Sequence, residues 1–205
     1  MSSAFAFLLT RTLRNERALK RLSSAREGLA SELRDRSVAL VGNARSLSEG
    51  NSGPAIDRAD LVARINRAPM PSSRTHGTRT DWLVLATSIG TEDLDRLRPR
   101  RILWMSPKRK RLSWAVARSP GFYLHDLADH ARLCEALGAP PTTGLMAIDL
   151  ILSLGPASLT LYGFDFFASL SLTGSRRADQ VPHDFAAEKR WVTERAASDP
   201  RLRLG

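Results

Sequence analysis

The chain has 205 residues and a mass of 22.6 kDa, with 42% apolar and 25% charged residues. That is an ordinary globular composition, with enough length for one core and no need of staples. A single cysteine, Cys134, excludes an intrachain disulfide and a thiolate metal cluster, and no window holds the roughly 18 apolar residues of a membrane-spanning helix. Thirty-one basic against 21 acidic residues leave a charge of +10 and a pI near 11.0. The balance favours anionic partners, namely nucleic acid, anionic lipid or phosphorylated small molecules. All but four of the basic residues are arginine, which an Arg-rich genome explains as well as a function does.

Residues 1–36 read as an N-terminal, amphipathic, basic helical segment. Leu13, Ala18, Leu22, Ala25, Leu29 and Leu33 recur at steps of three to five, and eight Lys or Arg stand against four acids. Such a segment packs on a domain or lies on an anionic membrane surface. The apolar stretch 4–9 has no basic residue before it and is too short for a signal core. The expected location is therefore cytoplasmic, peripheral to the inner membrane if the segment lies on lipid.

From residue 37 the pattern changes. Short apolar runs at 37–41, 61–65, 82–86, 102–105 and 159–162 read as buried strands. Helical periodicity fills 92–97, 108–117, 127–137, 144–154 and 183–197. Strands alternating with helices predict an α/β fold with a mostly parallel sheet flanked by helices. Turn-forming loops are expected at 44–54, 68–79 and 168–182. In such sheets ligands bind beyond the carboxyl ends of the strands, so candidate chemistry is sought there.

Four pieces stand out. Gly42-Asn43 follows the first strand with small or polar residues, but makes neither GxGxxG nor a P-loop, so an ordinary dinucleotide or ATP site is not indicated. The second strand ends on Asn66, whose amide can donate to phosphate or ribose oxygens or tie down its own turn. Pro141-Thr142-Thr143-Gly144 opens a long helix. Either a threonine simply caps it, or its free N–H groups receive a carboxylate or phosphate. His183 and Glu188 are five residues apart and so do not share a helical face. With His183 at the loop–helix junction, the imidazole is the general-base candidate and Glu188 an anchor. His76, His125 and His130 have no comparable setting. No HExxH or Asp-x-Asp occurs in these loops, and no metal site is expected. Trp82 and Trp104 read as core.

In this order the pieces resemble the sialyltransferase family of animal type, in a minimal, bacterial-like form. Val41-Gly42-Asn43, Gly53-Pro54-Ala55-Ile56-Asp57, Asp60-Leu61-Val62, Arg64-Ile65-Asn66-Arg67-Ala68-Pro69 and Gly77-Thr78-Arg79-Thr80 resemble the long sialyl motif. Pro141-Thr142-Thr143-Gly144 with Leu161-Tyr162-Gly163-Phe164 resembles the short one, and His183 with Glu188 matches the very short His-x4-Glu. The resemblance covers about residues 38–190.

It implies one Rossmann-like, GT-A-like domain over 37–205 and an inverting glycosyltransferase needing neither metal nor further cofactor. The donor would be a CMP-sugar carrying a keto sugar of sialic acid or Kdo type. The acceptor would be a glycan, or a lipid-linked anionic molecule. Gly42, Asn43, Asn66, Thr142, Thr143 and Gly144 would bind the donor, and His183 would deprotonate the acceptor hydroxyl. Three departures accompany it. Val38 and Gly155 stand where the family has paired cysteines, there is no anchor or stem, and no histidine lies in 165–182. Arg176, Arg177 or Thr173 would then assist the leaving phosphate. Two rival readings are a noncatalytic nucleotide-sugar accessory protein of the same fold and a basic module using 1–36 with the cluster 96–111. Nucleic acid is disfavoured as partner, because aromatics are only 6% and no binding signature occurs.

Overall fold

A computed structural model describes residues 3–165 and 182–205. Among them seven strands form one sheet, every neighbouring pair parallel. They are β1 (Ser37–Val41), β2 (Leu61–Ile65), β3 (Trp82–Leu85), β4 (Arg101–Trp104), β5 (Tyr123–Leu124), β6 (Ser158–Tyr162) and β7 (Leu202–Leu204). In space they run β5-β4-β3-β2-β1-β6-β7. The chain therefore steps outward from β1 to β5, then returns to lay β6 on the other side of β1. That reversal is a topological switch point, and it lies at the carboxyl ends of β1 and β6.

The continuous apolar runs are explained by burial on both faces. Val38 and Leu40 of β1 enter one cluster, with Leu29, Leu33, Leu61, Ala63 and the central helix. Ala39 and Val41 point the other way, onto Leu47, Ile56 and Val62, as the period of two requires. A third cluster under β3 and β4 holds Leu83, Leu85, Ile102 and Trp104 together with Phe7 and Leu19 from the N-terminal segment.

The helices are α1 (Ala4–Thr12), α2 (Glu16–Lys20), α3 (Arg26–Leu33), α4 (Gly53–Arg58), α5 (Ser73–His76), α6 (Thr91–Leu97), α7 (Trp114–Ala117), α8 (Leu127–Leu137), α9 (Thr143–Ser153) and α10 (Phe185–Ser198). Helix α9 is buried from Leu145 through Leu152. This helix is apolar nearly all round because it is covered all round. Its one charged residue, Asp149, accepts from Arg132 at 2.5 Å.

Three expectations need correcting. The N-terminal segment is three short helices, broken at Arg14 (φ 52°) and by Ser23 and Ser24, so the expected stripe is not continuous. Leu13 is 76% exposed, while Phe7 and Leu19 take the inward positions. The helix expected over 108–117 is a 3₁₀ turn (Arg109–Arg111) followed by α7. Its register fails because the Arg109 guanidinium is drawn inward, donating to the Ser106 and His125 carbonyls and pairing with Glu16 at 2.6 Å. The loops expected at 44–54 and 68–79 contain a 3₁₀ turn (Arg45–Glu49), the start of α4, and α5. Short helices with few apolar residues carry little periodic signal. Strands β5 and β7 were not foreseen, being two and three residues long.

Candidate active site

The cleft begins where two glycines cross. Gly42 leaves β1 and Gly163 leaves β6. A Cβ on Gly42 would overlap the Gly163 carbonyl oxygen, and Gly163 has φ 68°, where a side chain is strained. The close approach is sealed by Gly42 N–H donating to Tyr162 O at 2.8 Å and Ala44 N–H to Gly163 O at 3.2 Å. Behind this crossing opens a cleft of about 210 Å³. Asn43, Asn66, Thr142, Thr143, Gly144, His183 and Glu188 all line it, so residues from four separate stretches of sequence converge. Gly42 shapes its floor without lining it. Arg176, Arg177 and Thr173 lie outside the described residues.

The two asparagines are each half committed to the scaffold. Asn43 Nδ2 donates to the Ile65 carbonyl at 3.0 Å, tying β1 to the end of β2. Asn66 adopts a left-handed conformation (φ 54°), and its Oδ1 accepts from Ala86 N–H at 3.1 Å, tying β2 to β3. Each bond uses one end of the amide and leaves the other end at the cleft, and what Asn66 ties down is the end of β3 rather than its own turn.

Thr142 is the N-cap of α9, its Oγ1 accepting from Leu145 N–H at 3.2 Å. Its own N–H donates to Glu188 Oε1 at 2.5 Å and its hydroxyl to Oε2 at 2.7 Å. Glu188 is thus an anchor, but what it holds is the start of α9. The carboxyl is 3% exposed, and burial pushes it up to about 7 although the two Thr142 bonds favour the anion. With Thr142 and Leu145 satisfied, Thr143 and Gly144, whose N–H groups have no partner among the described residues, line the cleft at the helix start, where the dipole favours an anion. Gly144 is small for a reason of packing, since a Cβ there would come within 2.8 Å of the Phe164 ring.

His183 stands two residues ahead of α10, whose N-cap is Asp184. Its Nδ1 lies 2.7 Å from the Pro140 carbonyl oxygen. A carbonyl can only accept, so Nδ1 carries a proton, and in the neutral ring the lone pair is then on Nε2. The Phe185 ring lies 6.1 Å away, tilted by 58°. An imidazole held through Nδ1, the N-terminal N–H groups of a helix and two amides therefore share one cleft.

Asp165 and Phe185 also line it, with Asp165 accepting from Ser46 Oγ at 3.3 Å. The sequence did not single out Phe185 or Pro140. Pro140 acts through its backbone, so no side-chain pattern marks it. The other histidines stay away from the cleft. His125 is buried with neither ring nitrogen paired among the described residues, and desolvation lowers it to about 4. His76 bonds Thr75 Oγ1 at 2.6 Å, and His130 lies against Cys134.

The rest of the long motif is brace. Arg64 is 1% exposed and donates to the Arg79 and His76 carbonyls, each at 2.7 Å. Burial pulls its guanidinium down to about 10, with Asp57 holding it up. Asp57 in turn accepts from Thr78 N–H, Thr78 Oγ1 and Arg79 N–H.

An all-parallel, doubly wound sheet with a cleft at its switch point defines an α/β fold of the Rossmann-like type. The sequence matches the model of glycosyltransferase family 29 (sialyltransferase) over residues 4–114, just over half of the chain. The chain belongs to that family and is a glycosyltransferase. Among solved structures it is similar to a mammalian sialyltransferase in complex with Gal-beta-1-3GalNAc-ortho-nitrophenol, with 18% identity, a TM-score of 0.68, and 98% of this chain and 85% of that one covered. It is also similar to sialyltransferase CstII from Campylobacter jejuni in complex with the substrate analogue CMP-3FNeuAc, with 15% identity, a TM-score of 0.52 and coverage of 82% and 78%. A third is sialyltransferase CST-II in complex with a trisaccharide acceptor and CMP, with 14% identity, a TM-score of 0.56 and coverage of 82% and 80%. These likenesses establish the fold as that of sialyltransferases, GT-A-like and single-domain. No curated protein matches the sequence.

Proposed function

We propose that the protein moves a keto sugar from its CMP conjugate to a hydroxyl of a glycan or glycolipid, with inversion and without a metal. The observation that carries this reading is His183, its Nδ1 engaged by the Pro140 carbonyl, sharing one cleft with the N–H groups of Thr143 and Gly144 at the start of α9. His183 takes the acceptor proton as the acceptor oxygen bonds to the anomeric carbon. The bond from that carbon to the phosphate oxygen breaks from the opposite face, and CMP leaves with the electron pair. The transition state is oxocarbenium-like, so positioning and electrostatics supply most of the rate. Asn43 and Asn66 meet the phosphate and ribose, and the α9 start meets a carboxylate or phosphate. Arg176 and Arg177 remain candidates for steadying the leaving group, on their place in the chain alone.

Family membership and the CMP complexes of the two CstII structures support CMP-sialic acid as donor, ahead of CMP-Kdo, which has the same leaving group and a similar carboxylate. The first test is isothermal titration with CMP in EDTA, with UMP and ADP as controls, followed by turnover of both CMP-sugars. CMP-selective binding and turnover that vanishes in His183→Ala are expected. Equal affinity for all three nucleotides, or none, would sink the donor reading. A rate preserved in His183→Ala would sink the base.

A further inference from the structure

We propose that helix α1 docks this protein on an anionic lipid bilayer. Of the six large hydrophobic side chains that the described residues leave exposed, four lie on or at the end of this one helix. Phe5, Leu8 and Leu9 follow the i, i+3, i+4 spacing that makes a single face, and Leu13 at the C-cap extends it. They are 71%, 45%, 49% and 76% exposed. The opposite face is spoken for. Phe7 is buried with its ring 5.2 Å from that of Trp114, and Arg11 donates to the Leu112 carbonyl at 2.8 Å. Helix α1 is therefore held rigidly, with one apolar side inward and a second turned to solvent. An exposed contiguous apolar ridge of this kind marks an interaction surface.

The surroundings of the ridge select the partner. Helix α1 packs against the Arg109–Arg111 turn and α7. No acid occurs before Glu16, and none between Asp95 and Asp126. Glu16 is itself consumed by the buried Arg109. Arg14, Lys108, Lys110, Arg111 and Arg118 are exposed, and none is in an ion pair among the described residues. Apolar side chains flanked by unpaired cations are the chemistry of an interfacial helix, which sinks roughly 5–10 Å below anionic headgroups while its cations stay among them. No helix among the described residues is long and apolar enough to cross a membrane, so the contact is peripheral. The Arg109–Arg111 turn follows β4 at the carboxyl edge of the sheet, the edge at which the cleft opens. Docking there brings the cleft to the lipid surface, which suits a lipid-linked acceptor. That consequence rests on the reading of the site above, whereas the docking itself does not.

The test is flotation of the full chain with phosphatidylglycerol–phosphatidylcholine vesicles and with phosphatidylcholine vesicles, at low and high salt. Binding to the anionic vesicles alone is expected, weakened at least tenfold in Phe5→Ser/Leu9→Ser and made less salt-sensitive and weaker in Lys110→Ala/Arg111→Ala. Circular dichroism and thermal melting show that both variants are folded. Equal flotation on neutral vesicles, or full binding by Phe5→Ser/Leu9→Ser, overturns the proposal. So does a wild-type dimer in light scattering that the same variant dissolves, since a second copy then covers the ridge. RNA binding without flotation also overturns it. CMP titration of the same samples separates the two ideas, because lost CMP binding with intact flotation defeats only the donor reading.

Discussion

Two regions of the molecule use their polar groups in opposite ways. In the brace of Asp57, Arg64 and Gly77-Thr78-Arg79, polar groups are turned on one another. Asp57 takes three donors and the buried guanidinium takes two carbonyls. In the cleft, Asn43, Asn66 and Thr142 each spend part of their bonding capacity on the scaffold, and Thr143 and Gly144 leave N–H groups free. His183 spends one nitrogen and keeps the other. Polar groups that are all satisfied make rigidity, and groups satisfied on one side only make a binding surface that is already oriented. Motif membership alone does not distinguish the two.

The sharpest way to break this contrast is to remove a group from each region and compare the damage. His183→Ala should lower turnover by about 10²–10⁴-fold while nucleotide binding and melting temperature stay close to wild type. Single-turnover kinetics alongside calorimetry would check it, and a large loss of stability instead would make His183 a brace residue.

Glu188 sits between the regions, and pH tests it. Its carboxyl is raised from 4.5 to about 7, so the folded state holds the proton more tightly than the unfolded chain. Below about 4.5 the group carries no penalty. As pH climbs to about 7 the unfolded chain ionises first, and stability falls by on the order of 3 kcal/mol. Buried His125 slopes the other way, losing stability as pH drops from 6.5 towards 4. The difference between wild type and Glu188→Gln isolates the glutamate. Urea denaturation at pH 5 and 7.5 should show wild type losing stability relative to Glu188→Gln as pH rises, and parallel slopes would count against a buried, proton-holding Glu188.

In the brace, Asp57→Ala strips three donors of their acceptor and removes the charge facing Arg64. About 2–3 kcal/mol of stability should go, with kcat within about twofold wherever the protein is still folded. A kcat loss comparable to that of His183→Ala would merge the two regions. The smallest effect is expected from Gly144→Ala. The new Cβ displaces the Phe164 ring rather than backbone, so stability should fall by about 1 kcal/mol and donor affinity by about fivefold. A variant with wild-type affinity would mean that the ring does not shape the cleft.

Much of this was legible in the linear chain. The apolar runs of β1 and β2 and the period of α8 survive in the structure with the same bounds, because sheet burial on both faces and a helix amphipathic enough to show its face leave strong local patterns. The ordered pieces around Asn43, Asn66, Thr142 and His183 were readable as a set, since each sits at the end of an element, where turn and cap chemistry constrains the residue type. Helix α1 was half legible. Its apolar residues were visible, but the choice of Phe7 over Leu13 as the inward residue depends on Trp114, more than a hundred residues away.

The linear chain carried the alternating α/β pattern, its parallel sheet, and the short segments that hold candidate chemistry. How each polar residue divides its bonds emerged only once the chain was folded. The Pro140 carbonyl selects the tautomer of His183, the burial of Glu188 against Thr142 sets its proton affinity, and the Gly42–Gly163 crossing places the cleft between β1 and β6. Each of these depends on a partner distant in sequence and on the exclusion of water at the meeting point. Local propensity carries information about neither.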